Sequence, residues 1–453
     1  MHTAVFDIGK TNKKFSVFDE NLSEIHREYT TLPETTDEDG FPTEDLPLLT
    51  DWMRGTLRKA MTPGGFRVSK LNVSTYGASM VHIDAQGNPV TPLYNYLKPF
   101  PERLEAGFYA LTGGKEDFCV RTASPWLGML NSGLQGYWLK EERPGVFARV
   151  RHSLHFPQYA AYLFSGVLQS EFTSIGCHTG LWDFTTGRYH AWVDQTGLGR
   201  LFPATVPATQ RTTALVNGQS VEVGAGIHDS SAALLPYLLS SPEPFLLLST
   251  GTWNITFNPF SRDPLTPAEL GKDCLNYMRV DGAPVKASRL FFGNEFNRQT
   301  RLLGERFGKT ESNYHYTINF DEALYRKWSA DPAPYFHFET LQYPDGSIAS
   351  APETRWDRFD TVEDAFHRLM IELMRLQKEA IGLVAGAAPV RKLFVDGGFS
   401  QSDLFIHLLR KDFPGAELVV SPSPLGSSLG AAMAVNGEEV ARNYQFDLRR
   451  VSL

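Results

Sequence analysis

The chain has 453 residues, which at ~100–200 residues per domain predicts two or three domains. A net charge of −8 argues against nucleic acid or an anionic membrane as the main partner, and leaves room for an anionic nucleotide held by local positive groups. The three cysteines, Cys119, Cys177 and Cys274, are widely spaced with no metal-ligand pattern, and read as free thiols in a reducing compartment.

The N-terminus runs straight into a strand pattern, with no basic segment followed by an apolar stretch. No run of ~18 apolar residues follows, so no spanning helix and a cytoplasmic location are expected. Ala4 to Ile8 reads as a strand, Asp7 to Asn12 as its polar turn, and Lys14 to Phe18 as the returning strand. Glu24 to Thr30 continues as a third strand, and Leu32 to Leu46 reads as a loop leading to a helix. Leu71–Thr75 and Val81–Asp84 read as further strands. Leu238 to Pro244 has turn composition, which predicts one domain over 1–241 and a second over 242–453.

The second half opens like the first. Phe245 to Leu248 is an apolar run, Ser249 to Thr252 a turn, and Trp253 to Phe257 a returning strand, so a weak internal duplication is expected. Thr361–Asp364 is a capping box that opens a helix with Val362, Phe366, Leu369 and Leu373 on one face. Lys392–Asp396 is a buried-type strand that meets Gly397-Gly398, and a helix with Leu404, Phe405, Leu408 and Leu409 follows. Strands alternating with helices imply an α/β fold.

Four segments carry candidate chemistry, and each also has a plain structural reading. In Asp7-x-Gly9-x-Thr11, the glycine lets backbone N–H groups approach phosphate oxygens, and a strand-end Asp can hold magnesium through water. Lys10, Lys13 and Lys14 add positive charge, though a hairpin with solvated lysines looks the same. Ser249-Thr250-Gly251-Thr252 suits a second phosphate clamp or an ordinary turn. Asp396-Gly397-Gly398-Phe399-Ser400 suits an adenine or ribose lying on the backbone, or a tight strand-to-helix connection. In His228-Asp229-Ser230-Ser231, Asp229 is either a helix cap or a carboxylate that accepts the proton of an attacking hydroxyl.

In this order and spacing the four motifs resemble the FGGY carbohydrate kinases, from Val5 to about Val435. The resemblance implies two actin-like, RNase H-like α/β domains with a cleft between them. Gly9, Thr11, Asn12, Lys13 and Lys14 then form the first phosphate motif, where the family usually has Arg in place of Lys14. Lysine keeps the charge there and loses the planar fork. Thr250, Gly251 and Thr252 form the second phosphate motif, and Gly397, Gly398 and Ser402 the adenosine motif. Asp7 is the expected magnesium ligand and Asp229 the catalytic base. Phe156 to Gly166 resembles a family helix, and Thr173-Ser174 a family pair. Leu425 to Ala432 resembles the C-terminal Gly-Ala-Ala helix expected behind the adenosine motif.

Ser249 to Trp253, His228 before Asp229, and Ser74 to Val81 are similar to rhamnulokinases and fuculokinases. On that likeness Thr75, Tyr76, Gly77, Ser79, His228 and Asp229 shape the sugar site. Tyr76 would offer an aromatic face, and Ser79 stands where rhamnulokinases tend to have an acid. One departure stands out: Tyr96-Leu97-Lys98-Pro99-Phe100 lacks the acid and Arg that the family shows in a sugar-side loop. The implied activity is phosphoryl transfer from ATP, with Mg2+, to O1 of a ketose such as L-rhamnulose or L-fuculose. A pentulose phosphorylated at O5 is the alternative, and a non-catalytic sugar sensor is the rival on the same fold. The implied partners are the sugar and ATP, with no nucleic acid and no membrane; a homodimer is left open.

Overall fold

The computed structural model describes residues 1–311, 313–387, 389–421 and 426–451. Two seven-stranded mixed sheets organise the chain. In the first, β1 (His2–Ile8), β2 (Lys13–Phe18) and β3 (Glu24–Thr30) make an antiparallel meander, followed by α1 (Leu46–Ala60). β1 pairs in parallel with β4 (Val68–Thr75). β5 (Met80–Ile83) and β6 (His152–His155) form a separate pair, and α2 (Phe156–Ser165) follows directly. β7 (Arg211–Val216) and β8 (Gln219–Gly224) complete the sheet beside β4, and β9 (Ile227–His228) pairs with the end of β4. α3 (Asp229–Ser240) then leaves from the strand end.

The second sheet repeats this layout. β10 (Leu246–Thr250) runs antiparallel to β11 (Asn254–Asn258). A hairpin of β12 (Cys274–Met278) and β13 (Pro284–Leu290) adds to β11, and α4 (Phe292–Phe307) and α5 (Val362–Ala385) follow. β14 (Lys392–Gly397) returns parallel to β10, then α6 (Asp403–Asp412), β15 (Glu417–Val420), α7 (Gly426–Asn436) and β16 (Arg449–Arg450) close the chain. The order β3-β2-β1-β4-β8 in one sheet thus matches β13-β11-β10-β14-β15 in the other, with the same strand senses. The duplication hinted at by the two Gly-Thr turns is present as topology.

Both faces of each sheet are covered, which is why the central strands are apolar runs rather than alternating ones. On β1, Phe6 packs with Leu49, Met53 and Leu57 of α1, while Val5 faces Ala232 and Leu235 of α3. In the second half, Leu369 and Leu373 of α5 are fully buried against Leu248, Leu393 and Val395. Each such side chain contributes roughly 1.5–3 kcal/mol by leaving water.

Three expectations need correcting. The Gly-Ala-rich helix does not pack behind Gly397-Gly398: α7 lies on the first sheet, against α3, β1 and β4. Its small residues permit that close approach, and Asn72 Nδ2 donates to Ala431 O at 2.9 Å. Leu425 lies outside the described residues. The Leu32–Leu46 segment is more than a loop, because Glu34–Thr36 pairs with Pro42–Glu44 around a turn closed by Asp37 Oδ1, which accepts from Asp39 N and Phe41 N. Leu238 to Ser240 belong to α3 rather than to a linker. Among the described residues no helix is long and apolar enough to cross a membrane.

Gly430 sits at the crossing of α7 and α3, where an added Cβ would lie 1.8 Å from the Ala232 carbonyl oxygen. Backbone cannot yield as a flexible side-chain tip can. Gly430→Val is expected to cost about 3 kcal/mol, read as a lower urea midpoint followed by tryptophan fluorescence.

Candidate active site

Parallel α/β sheets bind ligands beyond the carboxyl ends of their strands. Here one cavity of about 210 Å3 lies at the start of α3, just beyond β9, and at the ends of β10 and β14. Asp229, Ser230 and Ser427 line it on one side, and Ser249, Ile255 and Asp396 on the other. Residues of both sheets therefore face the same space.

Asp229 starts α3 at the floor of this cavity. Its Oδ1 accepts from Ser230 N at 2.6 Å and Ser230 Oγ at 3.2 Å. His228 Nε2 stands 3.1 Å from the same oxygen. Oδ2 has no hydrogen-bond partner among the described residues. The side chain keeps 34% of its exposure. Burial first, and then the negative charge of Asp7, push its carboxyl up to about 7. The 34% opening lets water relieve part of this. Burial pushes the His228 imidazole down to about 3, so it is neutral.

Asp7, at the end of β1, accepts on Oδ2 from Ser427 Oγ at 2.6 Å and Ser428 Oγ at 2.8 Å. Lys14 Nζ lies 3.2 Å from that oxygen. The other lysines of the turn are engaged elsewhere. Lys13 is buried and donates to Glu44 Oε1 at 3.0 Å, and Lys10 donates to Glu34 Oε1 at 2.6 Å. The alternation of β2 sends Lys13 and Lys14 to opposite faces, so only Lys14 reaches Asp7. Gly9 closes the turn by donating its N–H to Asn12 O at 3.0 Å, with Thr11 and Asn12 exposed at its tip.

The second loop and the glycine pair meet at a separate cavity of about 160 Å3. Gly251, Thr252, Gly398 and Ser402 line it, together with His315 and Tyr316. Thr250 ties the two loops: its Oγ1 donates to Asp396 O at 2.6 Å and accepts from Phe399 N at 3.0 Å. Gly397 turns the chain between them, and Ser402 caps α6 by accepting from Phe405 N. Hydroxyls and main-chain N–H groups thus sit between a carboxylate-bearing cavity and one walled by rings, an arrangement suited to a phosphate chain and a base.

Comparison with known proteins is consistent with this geometry. Residues 3–235 match the FGGY family of carbohydrate kinases, N-terminal domain, and residues 242–443 match the carbohydrate kinase FGGY, C-terminal domain. The chain belongs to the FGGY family of carbohydrate kinases. A carbohydrate kinase from Novosphingobium aromaticivorans shares the fold with a TM-score of 0.80 at 24% identity, covering 99% of this chain and 93% of that one. Xylulose kinase from Rhodospirillum rubrum gives 0.80 at 15% identity, over 100% and 93%. Gluconate kinase from Lactobacillus acidophilus gives 0.78 at 14%, over 98% and 92%. This FGGY chain is accordingly a two-domain α/β sugar kinase. Kinases of the family use ATP, generally with Mg2+.

The residues expected on the sugar side are less exposed than their motif suggests. Thr75 is fully buried, its hydroxyl donating to Tyr76 O at 2.8 Å, and Ser79 is buried behind it. Tyr76 is 9% exposed and packs in the core of the first sheet, 5.2 Å from the Phe156 ring. Tyr96 meets the Tyr76 ring edge-on at 5.9 Å and is less deeply buried. Gly77 backs onto Cys177 and His228.

Sequence reasoning missed His315, Tyr316, Cys177 and His178. The aromatic run Tyr314-His315-Tyr316 was visible, but nothing in a short irregular segment says which cavity it borders. Cys177-His178 carries no motif, and its meaning comes only from contact with His228.

Asp229 also bears on stability. Unfolded, its carboxyl titrates at ~3.9, so between about pH 4 and 7 the native state holds a proton that the unfolded state has lost. Native stability therefore falls as pH rises through that window and stays reduced above it. Asp229→Asn cannot ionise, and is expected to be more stable than the parent by about 1 kcal/mol at pH 8, a figure discounted for the open side of the carboxyl, with no difference at pH 4. Urea midpoints at the two pH values check this.

Proposed function

We propose that this kinase transfers the γ-phosphoryl group of ATP to a ketose hydroxyl, with Asp229 as the base. One observation carries the reading: Asp229, a carboxyl pushed toward neutral pH with only its Oδ1 held by Ser230, lines a cavity shared by both sheets. In the step, Asp229 Oδ2 takes the hydroxyl proton, the hydroxyl oxygen bonds to the γ-phosphorus, and the bond to the bridging oxygen breaks to leave ADP. Little covalent work falls to the protein. Oδ1 stays anchored by Ser230, which keeps Oδ2 directed at the acceptor.

The loops at Gly9–Lys14 and Thr250–Thr252 hold the phosphates, and the cavity at Gly398, Ser402, His315 and Tyr316 holds the base. Asp7 fits the role of magnesium holder. Asp7 supplies one carboxylate oriented by two hydroxyls, and Mg2+ binds through one or two carboxylates plus substrate phosphates and water. When bound, the ion would neutralise phosphate charge. Lys14 adds charge beside Asp7, while Lys13, paired with Glu44, contributes through the shape of the turn.

L-Rhamnulose or L-fuculose, phosphorylated at O1, is the acceptor favoured by Ser249–Trp253 and by His228 preceding Asp229. A xylulose or ribulose phosphorylated at O5 is the second reading, favoured by the xylulose kinases among the structural neighbours. The proposed setting is the cytoplasm, with the sugar and ATP as partners.

ADP release should be measured with L-rhamnulose, L-fuculose, the xyluloses, the ribuloses and glycerol. One ketose is expected to give a strong response, and Asp229→Asn to lower kcat by 10²–10⁴-fold with little change in the KM for ATP. Parent-like turnover by the variant would remove Asp229 from the mechanism. In the parent, kcat/KM should rise with pH up to about 7, because the base works only when ionised.

A further inference from the structure

Asp229 shares its end of the cavity with a buried cluster that the proposed step does not use. His228 Nε2 is 3.1 Å from Asp229 Oδ1, and the same nitrogen is 3.0 Å from Cys177 Sγ in hydrogen-bond geometry. His178 Nε2 is 3.4 Å from that sulfur on its other side. The cluster is held from several directions. Tyr277 of β12 stacks on the His228 ring, with centroids 5.6 Å apart and planes at 12°. His228 N donates to Thr173 Oγ1 at 3.0 Å, and that hydroxyl donates to the buried Glu171 carboxyl at 2.6 Å. Gly77 makes the space: a Cβ there would lie 2.5 Å from Sγ and 2.9 Å from His228 Cδ2. His178 is held at φ 39°, in the left-handed region that non-glycine residues seldom adopt. Cys177 is fully buried, and burial pushes its thiol up, so it stays protonated and unreactive.

We infer that Cys177 is a positioning residue for Asp229: by engaging His228 Nε2 it holds that nitrogen off the carboxylate. The inference rests on reading Asp229 as the base. Nε2 has two polar neighbours at nearly equal distance, and its hydrogen-bonding direction goes to the sulfur. A ring N–H given wholly to Oδ1 would stabilise the ionised carboxylate and weaken it as a base. With the thiol in place, Asp229 keeps only Ser230 as a donor.

Other charged or titratable groups face the cluster and stay constant in the test. Asp7 on β1, with Lys14 beside it on β2, acts on Asp229 from one side. Tyr96 approaches from the sugar-side loop, and Asp396 of β14 lines the cavity opposite. His155 of β6 faces His228, and Arg289 of β13 faces Cys177, His178 and Tyr277.

The test uses the full chain with Cys177→Val, which removes the S–H at similar bulk, and Cys177→Ser, which keeps a hydroxyl there. Cys177→Ala replaces the valine variant should that one overfill the site. Two readouts are followed: the carboxyl carbon of Asp229 titrated by NMR, and the pH profile of kcat with the best acceptor. In Cys177→Val the Asp229 titration and the acid limb should both move to lower pH by about one unit. kcat should fall roughly threefold to tenfold, with both KM values within about twofold, and Cys177→Ser should recover most of the loss. An unmoved titration and acid limb in a variant that melts like the parent would overturn the inference. So would uniform losses that follow thermal stability, with serine no better than valine. A parent inactive on every acceptor sinks the reading of Asp229 as base, while the NMR titration still decides whether Cys177 governs that carboxyl.

Discussion

Two hydroxyls join the ends of this chain. Ser427 and Ser428, at the start of α7, donate to Asp7 Oδ2, on the first strand. Hydrogen bonds to an ionised acceptor are worth roughly 1.5–3 kcal/mol each, so the pair is a substantial anchor. The anchor fixes more than Asp7. α7 lies on α3, and α3 begins at Asp229. Moving α7 would therefore move Asp7 and Asp229 together. Asn72 strengthens the unit from beneath, donating to Ala431 O while its Oδ1 accepts from Val73 N and Gly226 N. Gly226 lies two residues before His228, so the same buried amide steadies the approach to the site.

Within this frame the two carboxylates differ in company. Asp7 has two hydroxyl donors and an ammonium group. Asp229 has one main-chain N–H, one weaker hydroxyl contact and a neutral imidazole at its side. Desolvation is thus poorly offset at Asp229, and the charge on Asp7 adds to the cost. On the proposed reading, this difference in company leaves Asp7 to hold charge and Asp229 to act as the base. The neutral state of His228 belongs to the same logic, since a cation there would remove the effect.

Most of the fold was legible because its signals are local. Strand, Gly-Thr turn and returning strand occur twice, and each marks a hairpin at the centre of a sheet. Thr361 accepts from Asp364 N and opens α5 as its sequence announces. What failed to read was side-chain direction and long-range packing. Lys13 and Lys14 are adjacent letters, yet one is buried on Glu44 and the other meets Asp7. Tyr76 sits in the motif expected to shape the sugar site, but its ring packs against Phe156 and Tyr96. α7 follows the glycine pair in sequence and packs on the other sheet, because its small residues fit against α3. The Cys177 cluster joins segments about 50 to 100 residues apart, beyond any spacing rule.

The loop that departs from the family pattern has its own internal logic. Lys98 is 8% exposed and donates to Asp37 Oδ2 at 2.5 Å and Asp39 Oδ2 at 2.7 Å. Its ammonium also stands over the rings of Tyr94, at 5.3 Å, and Trp138, at 5.1 Å. Tyr94 donates to Glu38 Oε1 at 2.5 Å, and Arg143 pairs with Asp39. Three successive acids of the hairpin turn are thereby gripped by one lysine, one tyrosine and one arginine. A buried lysine released from these partners would be an uncompensated charge, which costs several kcal/mol, so Lys98 is not free to meet an acceptor. The loop's cation closes the hairpin against the domain. The departure from the family pattern is thus a structural brace: the loop's charge is spent inside the domain, and Tyr96 packs against the Tyr76 ring rather than entering an ion pair.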